Sequence, residues 1–336
     1  MSPRKGVIFV TKRDLNNLYC QFLIAAQKNY TCTELSDRVG NRPAHDTFTR
    51  WLATDRLTPG LIWKALKTTL DRSQGNFILD DVVFDKWYGR GIDIVYRQYS
   101  GTHHRPVDGI GLTTLLWVSS HQYLPVDYRL YDPRTDGKTK NDHAREMLVT
   151  AHDRGFQPTV VLMDSWYATV DTLKLVTSYG WKFVAWIKAN RKVSFTAHNQ
   201  QAVADIPLPT SGAIVWLRGF GKVKVIKLVR SAHDIDYLVT NDVSLSRSDI
   251  LEAAARRWSI EEYHRGLKQT AGAAFCQARS GRTQRNHIFC SLRAFLALET
   301  ERCRTGLSWY ELKKQVIADA ISWYLQSPTI PLPVLR

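Results

Sequence analysis

Apolar positions in the first seventy residues fall at helical spacing. Leu15, Leu18, Phe22, Leu23 and Ala26 recur every three or four residues, and a second block runs from Thr33 to Val39. A Gly40-Asn41-Arg42-Pro43 turn follows, then AHDTFTRWLAT, where Phe48, Trp51 and Leu52 form an apolar side. Short helix, turn and helix fit a helix-turn-helix whose second helix would present Thr47, Thr49 and Arg50 to a major groove; an ordinary helical hairpin fits the same pattern.

From Gly75 the pattern becomes that of strands. NFILDDVVFDKWYG, IDIVYRQYS and IGLTTLLWVSS are rich in β-branched and aromatic residues, and LPVDYRLYD is either a further strand or an extension of the third. A helix is predicted over 140–154, a buried strand at TVVLMDSWY, a helix over 168–179 and a strand at WKFVAWIKA. Three strands, helix, strand, helix, strand describe a mixed α/β fold with a covered central sheet. Residues 190–246 break that rhythm with short strand-like pieces between Pro, Gly and Ser, a β-rich insertion. Helices follow over 247–268, 283–300 and 308–325, before a Pro-rich end. The expected organisation is a helical DNA-binding domain (1–74), the first part of a catalytic domain (75–189), the insertion (190–246) and a C-terminal helical part of the catalytic domain (247–336).

Composition narrows the partner. The 336 residues are 44% hydrophobic, with eleven Trp and fourteen Tyr, which excludes a largely disordered chain. Forty-six Lys and Arg against thirty-one Asp and Glu leave a formal charge of +15, spread along the chain, which favours a polyanion met by a folded surface. Five scattered cysteines without a CxxC pair argue against a zinc ribbon or disulfide framework and for a reducing compartment. No apolar run approaches the roughly 20 residues of a membrane span, and the start lacks a signal-peptide core. A soluble, cytoplasmic protein with nucleic acid as its partner is the expectation.

Hydrolysis or transfer at a phosphodiester needs charge neutralisation and an activated oxygen, which divalent metal held by converging carboxylates supplies. Three places offer such acids. Asp80 and Asp81 interrupt an apolar strand, where a carboxylate is costly without a partner or metal. Alternation across a strand lets only one of them face a given site, and the sequence does not choose which. Each is also compatible with a simple strand acid paired to an Arg. Asp164 ends the run Val160–Met163, at the carboxyl edge where ligands of open α/β sheets gather, or else it caps the next helix. In RRWSIEEYHRGLKQTAG, Arg257, Glu261, Arg265 and Lys268 lie within about 80° on a helical wheel, opposite Ile260, Tyr263 and Leu267. Glu262 sits about 100° off that stripe. A solvated amphipathic helix with i,i+4 ion pairs fits the same residues.

The order of these acids, strand, strand end, then helix after an insertion, is the layout of ribonuclease-H-like polynucleotidyl transferases. Arg257-x3-Glu261-x6-Lys268, inside RWSIEEYHRGLKQ, resembles the signature of the Tyr-Arg-Glu-Lys group of bacterial insertion-sequence DDE transposases. ILDDVVFDKWYGRG and PTVVLMDSWYA resemble that family's two Asp strands, and the likeness runs from about residue 76 to 300. Two positions depart from the pattern: Ala254 stands where the signature has Tyr, and Val82 where a hydroxyl residue follows the first Asp.

The resemblance implies an RNase H-like fold and a DNA transposase that cuts its element's ends and inserts them into target DNA, through hairpin ends. Asp80 (with Asp81 the fallback), Asp164 and Glu261 would be the catalytic acids, holding two Mg²⁺ ions for which Mn²⁺ could substitute. Arg257, Arg265 and Lys268 would contact DNA phosphates, and the N-terminal helices the terminal inverted repeats. It further implies a dimer or higher multimer in a synaptic complex, and a bacterial, nucleoid-associated enzyme. A catalytically inactive DNA-binding derivative and a metal-dependent endonuclease that does not join strands are the alternatives. Trp166, Trp186 and Trp216 are candidates to stack a flipped base, each against a competing reading as core.

Overall fold

The computed structural model describes residues 10–89, 91–101, 103–119, 122–196, 198–231 and 234–330. Four helices come first: α1 (Lys12–Ala25), α2 (Cys32–Arg38), α3 (His45–Thr54) and α4 (Pro59–Leu66). The chain then forms β1 (Asn76–Asp85), β2 (Tyr96–Ser100), β3 (Arg105–Val118) and β4 (Tyr123–Leu130), then the short α5 (Pro133–Asp136) and α6 (Lys140–Asp153). Next are β5 (Val161–Met163), α7 (Val170–Ser178), β6 (Phe183–Ile187), β7 (Lys192–Ser194), β8 (Gln201–Ala202), β9 (Ala213–Leu217), β10 (Gly221–Ser231) and β11 (Asp234–Thr240). Helices α8 (Arg247–Ala255), α9 (Trp258–Thr270), α10 (Gly281–Thr305) and α11 (Trp309–Gln326) complete the chain.

Two compact units emerge. One comprises Met1–Thr58, Gly91–Asp93 and Arg265–Arg336; the other comprises Pro59–Arg90 and Ile94–His264. In the first, α1, α3 and α11 pack around α10. Polar anchors fix that packing: Tyr19 Oη lies 2.9 Å from His287 Nδ1, and Asn286 Nδ2 donates to the carbonyls of Leu52 and Asp55 at 2.8 Å each. These groups are buried, so each bond also avoids leaving an unsatisfied dipole inside.

The second unit is built on an 11-stranded sheet in the order β2-β3-β1-β5-β6-β11-β10-β9-β7-β8, with β4 also paired to β3. Among the described residues, only β1, β5 and β6 run parallel to one another. Their sequences are nearly continuous apolar runs, and consecutive residues, which point to opposite faces, are buried alike. The other pairings are antiparallel. Each covering helix has a side-chain cap: Thr139 and Asp142 form a capping box on α6, Thr169 caps α7, and Ser246 with Asp249 caps α8.

Two features sharpen the sequence expectation and one departs from it. LPVDYRLYD is a separate strand, β4, turned back antiparallel on β3. The strands of 190–246 do not stand apart, since β11 pairs with β6 and carries β7–β10 on as a continuation of the central sheet. The single helix expected over 247–268 is broken at Arg256–Arg257. Arg256, Arg257, Ser259 and Ile260 all donate their amides to the carbonyl three residues back, the tight winding that ends one helix and redirects the next.

Candidate active site

Strand register brings the first two acids together. Leu79 of β1 pairs with Met163 of β5, and Met163 pairs with Ala185 of β6. One residue further along these three parallel strands stand Asp80, Asp164 and Trp186. The acids thus meet where β5 ends, at the carboxyl edge of the parallel strands. Asp80 is buried, at 7% exposure, and Asp164 half-buried.

Burial pushes the Asp80 carboxyl well above the ordinary carboxylate range; Arg257 opposes the shift, and the charges of Asp164 and Asp81 add to it. Burial likewise raises Asp164, opposed by the Tyr167 amide and Arg257 and reinforced by Asp81. Both shifts say the same thing: negative charge is crowded and poorly solvated here.

Arg257 answers that charge from the joint between α8 and α9. Its Nη2 donates to Asp80 Oδ2 at 2.5 Å, its Nη1 lies 3.6 Å from Glu261 Oε1, and its guanidinium sits over the Trp186 ring, 5.5 Å from the centroid. One cation is therefore shared by all three sequence-predicted acids. The break in the helix turns Arg257 inward toward the sheet, while Arg256 pairs with Glu252 at 2.7 Å on the surface. The wheel projection that placed Arg257 on one continuous stripe assumed a helix that stops at Ala255.

Glu261 and its neighbour are distinguished as well. Glu261 keeps 41% of its side chain exposed beside Arg257, whereas Glu262 accepts a hydrogen bond from Tyr123 of β4 at 3.0 Å. Ile260 and Tyr263 are fully buried beneath α9, and burial raises the Tyr263 phenol, which lies by Thr114 of β3. Thr114 is the residue that pairs with Asp80 across β1–β3, so this contact seats the start of α9 over the first acid.

Asp81 is held on the opposite side of β1. Lys140 of α6 donates to its Oδ2 at 2.5 Å and Tyr167 donates to its Oδ1 at 2.8 Å. Tyr167 closes a loop of contacts, because its amide and that of Trp166 donate to Asp164 Oδ1 at 3.1 and 3.0 Å. Asp81 therefore ties down the turn that aims Asp164. Nothing in the sequence marked Tyr167 or Lys140 for this role; the motif DSWY carried a Tyr three residues after the Asp, but its partner lies 86 positions away.

The remaining candidates divide by unit. Arg265, exposed, and Lys268, half-buried, follow His264 on α9 and belong to the helical unit. In that same unit α2 and α3 form the short-helix, turn, helix arrangement, with Phe48, Trp51 and Leu52 buried. Thr49 and Arg50 are exposed and Thr47 half-buried; Thr49 Oγ1 donates back to the His45 carbonyl at 3.0 Å. Of the three tryptophans, Trp186 and Trp216 are half-buried under Arg257 and Lys222, while Trp166 is 55% exposed.

A family model described as DDE superfamily endonuclease matches residues 9–207, more than half of the chain. The chain belongs to the DDE superfamily of endonucleases. A second model, archaeal putative transposase ISC1217, matches residues 132–308 of this DDE-superfamily chain, again more than half. Among solved structures, a Drosophila P element transposase in a strand transfer complex shows a TM-score of 0.30 and 12% identity over 58% of this chain and 47% of that one. The chain thus spans about half the length of that relative. No curated protein matches it.

A DDE-superfamily member is expected to hold divalent metal, and the chemistry of the Asp80–Asp164 pair fits that demand. Asp80 and Asp164 are hard oxygen donors, desolvated and mutually repelling, offset by the Arg257 guanidinium and by the amides of Asp81, Trp166 and Tyr167. Among the described residues no three His, Cys, Asp or Glu side chains stand close enough to hold an ion together; Glu261 joins the pair through Arg257 instead. No helix among them is long and apolar enough to cross a membrane.

Proposed function

We propose that this chain is a DNA transposase of the Tyr-Arg-Glu-Lys type, which cuts at the ends of a mobile element and joins the freed 3′-hydroxyl to target DNA. The observation that carries this reading is the register of β1 on β5, which sets Asp80 beside Asp164 under the one arginine that also reaches Glu261. Asp80, Asp164 and Glu261 would hold the divalent cation, Mg²⁺ in the simplest case and two ions by the family's pattern. When bound, it supplies positive charge to the phosphate undergoing in-line attack and lowers the pKa of the attacking oxygen. Asp81 and Tyr167 keep the Asp164 turn in place, and Tyr263 and Ile260 fix the start of α9 so that Glu261 faces Arg257 and not Tyr123.

Arg257 is suited to a scissile-strand phosphate, because its charge is already drawn into the site. Arg265 and Lys268 would meet the backbone of the same DNA, and α3 would read the terminal inverted repeat through Thr47, Thr49 and Arg50. Cutting, hairpin formation and target joining are all transesterifications or hydrolyses at phosphorus, so a single acid cluster could serve each of them in turn. A synaptic dimer or larger multimer would bring two ends together.

The test uses DNA carrying the element's own ends, with wild type, Asp80→Asn, Asp164→Asn and Glu261→Gln, followed by strand transfer from pre-cut ends. Wild type should cleave and join, and each variant should do neither. Cleavage without joining would leave an endonuclease, and cleavage that survives Asp164→Asn would remove this acid assignment altogether.

A further inference from the structure

The last helix outruns the body it packs on. In the first two turns of α11, Trp309 and Lys313 are buried, and Lys313 Nζ donates to Tyr30 Oη at 3.3 Å. Beyond Lys314 the same face continues as Val316, Ile317, Ala320 and Tyr324, yet large apolar side chains now stand open: Trp323 is 71% exposed, Leu325 68% and Ile321 54%. At about 100° per residue, the apolar side chains of 315–326 span about 200° of the helix, and Gln315, Asp319, Ser322 and Gln326 share the remaining strip. A surface helix packs on a core with an apolar stripe of little more than about 100°. One twice as broad suits a helix that lies in a groove, with a wall on either side.

The same helical unit holds such a groove. Between the later turns of α1 and the whole of α2, Leu18, Phe22, Ala25, Leu35 and Val39 line a depression of about 590 Å³. Among the described residues, none from α11 of the same chain lines it. Lys28 and Arg38 stand at its rim against one acid, Glu34, which is already paired with Arg38 at 2.6 Å. The exposed part of α11 carries a single charge, Asp319, on its polar strip. An apolar groove with a cationic rim thus meets its complement in an apolar helix with an anionic edge. Area points to a pair of chains. Val316, Ile321, Trp323 and Leu325 leave on the order of 400 Å² uncovered. Two such helices in two such grooves would bury about four times that, within the roughly 1,200–2,000 Å² of a stable interface.

We propose that α11 of one copy lies in the α1–α2 groove of a second copy, and that the exchange is reciprocal. Trp323, Ile321 and Leu325 supply the buried anchors, and Asp319 meets the rim of Lys28 and Arg38. Exchange in both directions closes the pair about a twofold axis. Exchange in one direction would leave a helix and a groove open, and copies could add without end. The inference deepens the multimer reading above and rests on it for the choice of a second copy as occupant. It involves neither DNA nor the acids.

The test is therefore sedimentation equilibrium of the full chain in EDTA without DNA. Wild type should form a dimer that dissociates on dilution. Trp323→Ser combined with Leu325→Ser should weaken it at least about a hundredfold, since an aromatic anchor is lost from both halves. Ala25→Arg, at an exposed position of the groove wall, should weaken it comparably. All three positions are exposed, so circular dichroism and thermal melts of the diluted variants should match those of diluted wild type. Mixing decides the geometry. The helix variant keeps its groove and the groove variant keeps its helix, so together they should form a one-to-one dimer of intermediate affinity that neither forms alone. A wild-type chain that stays monomeric would overturn the proposal. So would an Ala25→Arg chain that dimerises like wild type, because the helices would then meet one another and not the groove. Mixed variants that fail to pair would overturn it as well. Cleavage is read separately: a monomer here leaves the cleavage test standing, and loss of cleavage by the acid variants leaves the dimer standing.

Discussion

Replacing Arg257 by Gln should expose how much negative charge the site stores. The substitution removes the 2.5 Å partner of a carboxylate that is 7% exposed. Breaking one side of a buried ion pair costs about 3–5 kcal/mol when the remaining charge has no way out. Asp80 has a way out, because it can take up a proton. Holding it protonated at pH 7 against an ordinary value of 3.8 costs at most about 4 kcal/mol. Wild type already bears part of that cost, so the expected loss for Arg257→Gln at pH 7 is about 2 kcal/mol.

The sign of the pH dependence follows. A carboxyl whose folded pKa is raised favours folding most below its unfolded pKa, and that advantage is lost as pH rises toward the folded value. At pH 5 the protonation ceiling shrinks to less than about 2 kcal/mol, so the deficit of Arg257→Gln against wild type should narrow in acid. Urea denaturation of wild type, Arg257→Gln, Asp80→Asn and the double variant at pH 5 and 7 measures both effects. In the Asp80→Asn background, Arg257→Gln should cost less than about 1 kcal/mol. A deficit equal at both pH values, or equal in both backgrounds, would show that Arg257 acts through packing on Trp186 and not through charge.

Three further outcomes are expected. Tyr167→Phe removes one of the two groups on Asp81 and should cost about 1 kcal/mol of stability while lowering the cleavage rate with little change in DNA affinity, since only the aim of Asp164 loosens; thermal melts and single-turnover kinetics check this. Glu261→Gln should abolish cleavage, whereas Glu262→Gln, whose partner Tyr123 can still donate to the amide oxygen, should leave most of it; equal losses would refute the distinction between the neighbours. Lys313, buried against Tyr30 and the Thr270 carbonyl, has its pKa brought down to about 8 by burial. Between about pH 8 and 10.5 the unfolded chain holds the proton and the folded chain does not, so stability should rise with pH, by about 2 kcal/mol after allowance for solvent screening. Lys313→Met should remove that rise, which denaturation at pH 7.5 and 10 would show.

Much of this was legible in the chain because it rests on periodicity. The apolar runs of β1, β5 and β6 stand out against the amphipathic helices, and an acid that interrupts such a run is conspicuous. Asp80 could not be separated from Asp81 because both faces of β1 are covered, so alternation had no wet side to use. The difference lies in partners remote in sequence, Arg257 for one and Lys140 with Tyr167 for the other. The break at Arg256–Arg257 was hidden for a different reason. ARRWS contains no Gly or Pro, and the tight winding there comes from the seating of α8 on β6 and of Tyr263 by Thr114, which no local propensity records. Trp166 was one of three tryptophans that the sequence left between surface and core, and its turn, pinned by Asp164, makes it exposed and fixed at once.

Length changes anywhere in β7–β10 need not reach the acids. Those strands lie outboard of β11, and β11 alone continues the pairing from β6. Downstream, the tightly wound joint before Trp258 takes up whatever direction α8 arrives from, while Ile260 and Tyr263 hold the start of α9 by its own apolar face. Residues 192–231 can therefore diverge or grow as a cassette, with Asp80, Asp164 and Glu261 keeping their places. Changes in the outer strands would then leave the chemistry at the acids untouched.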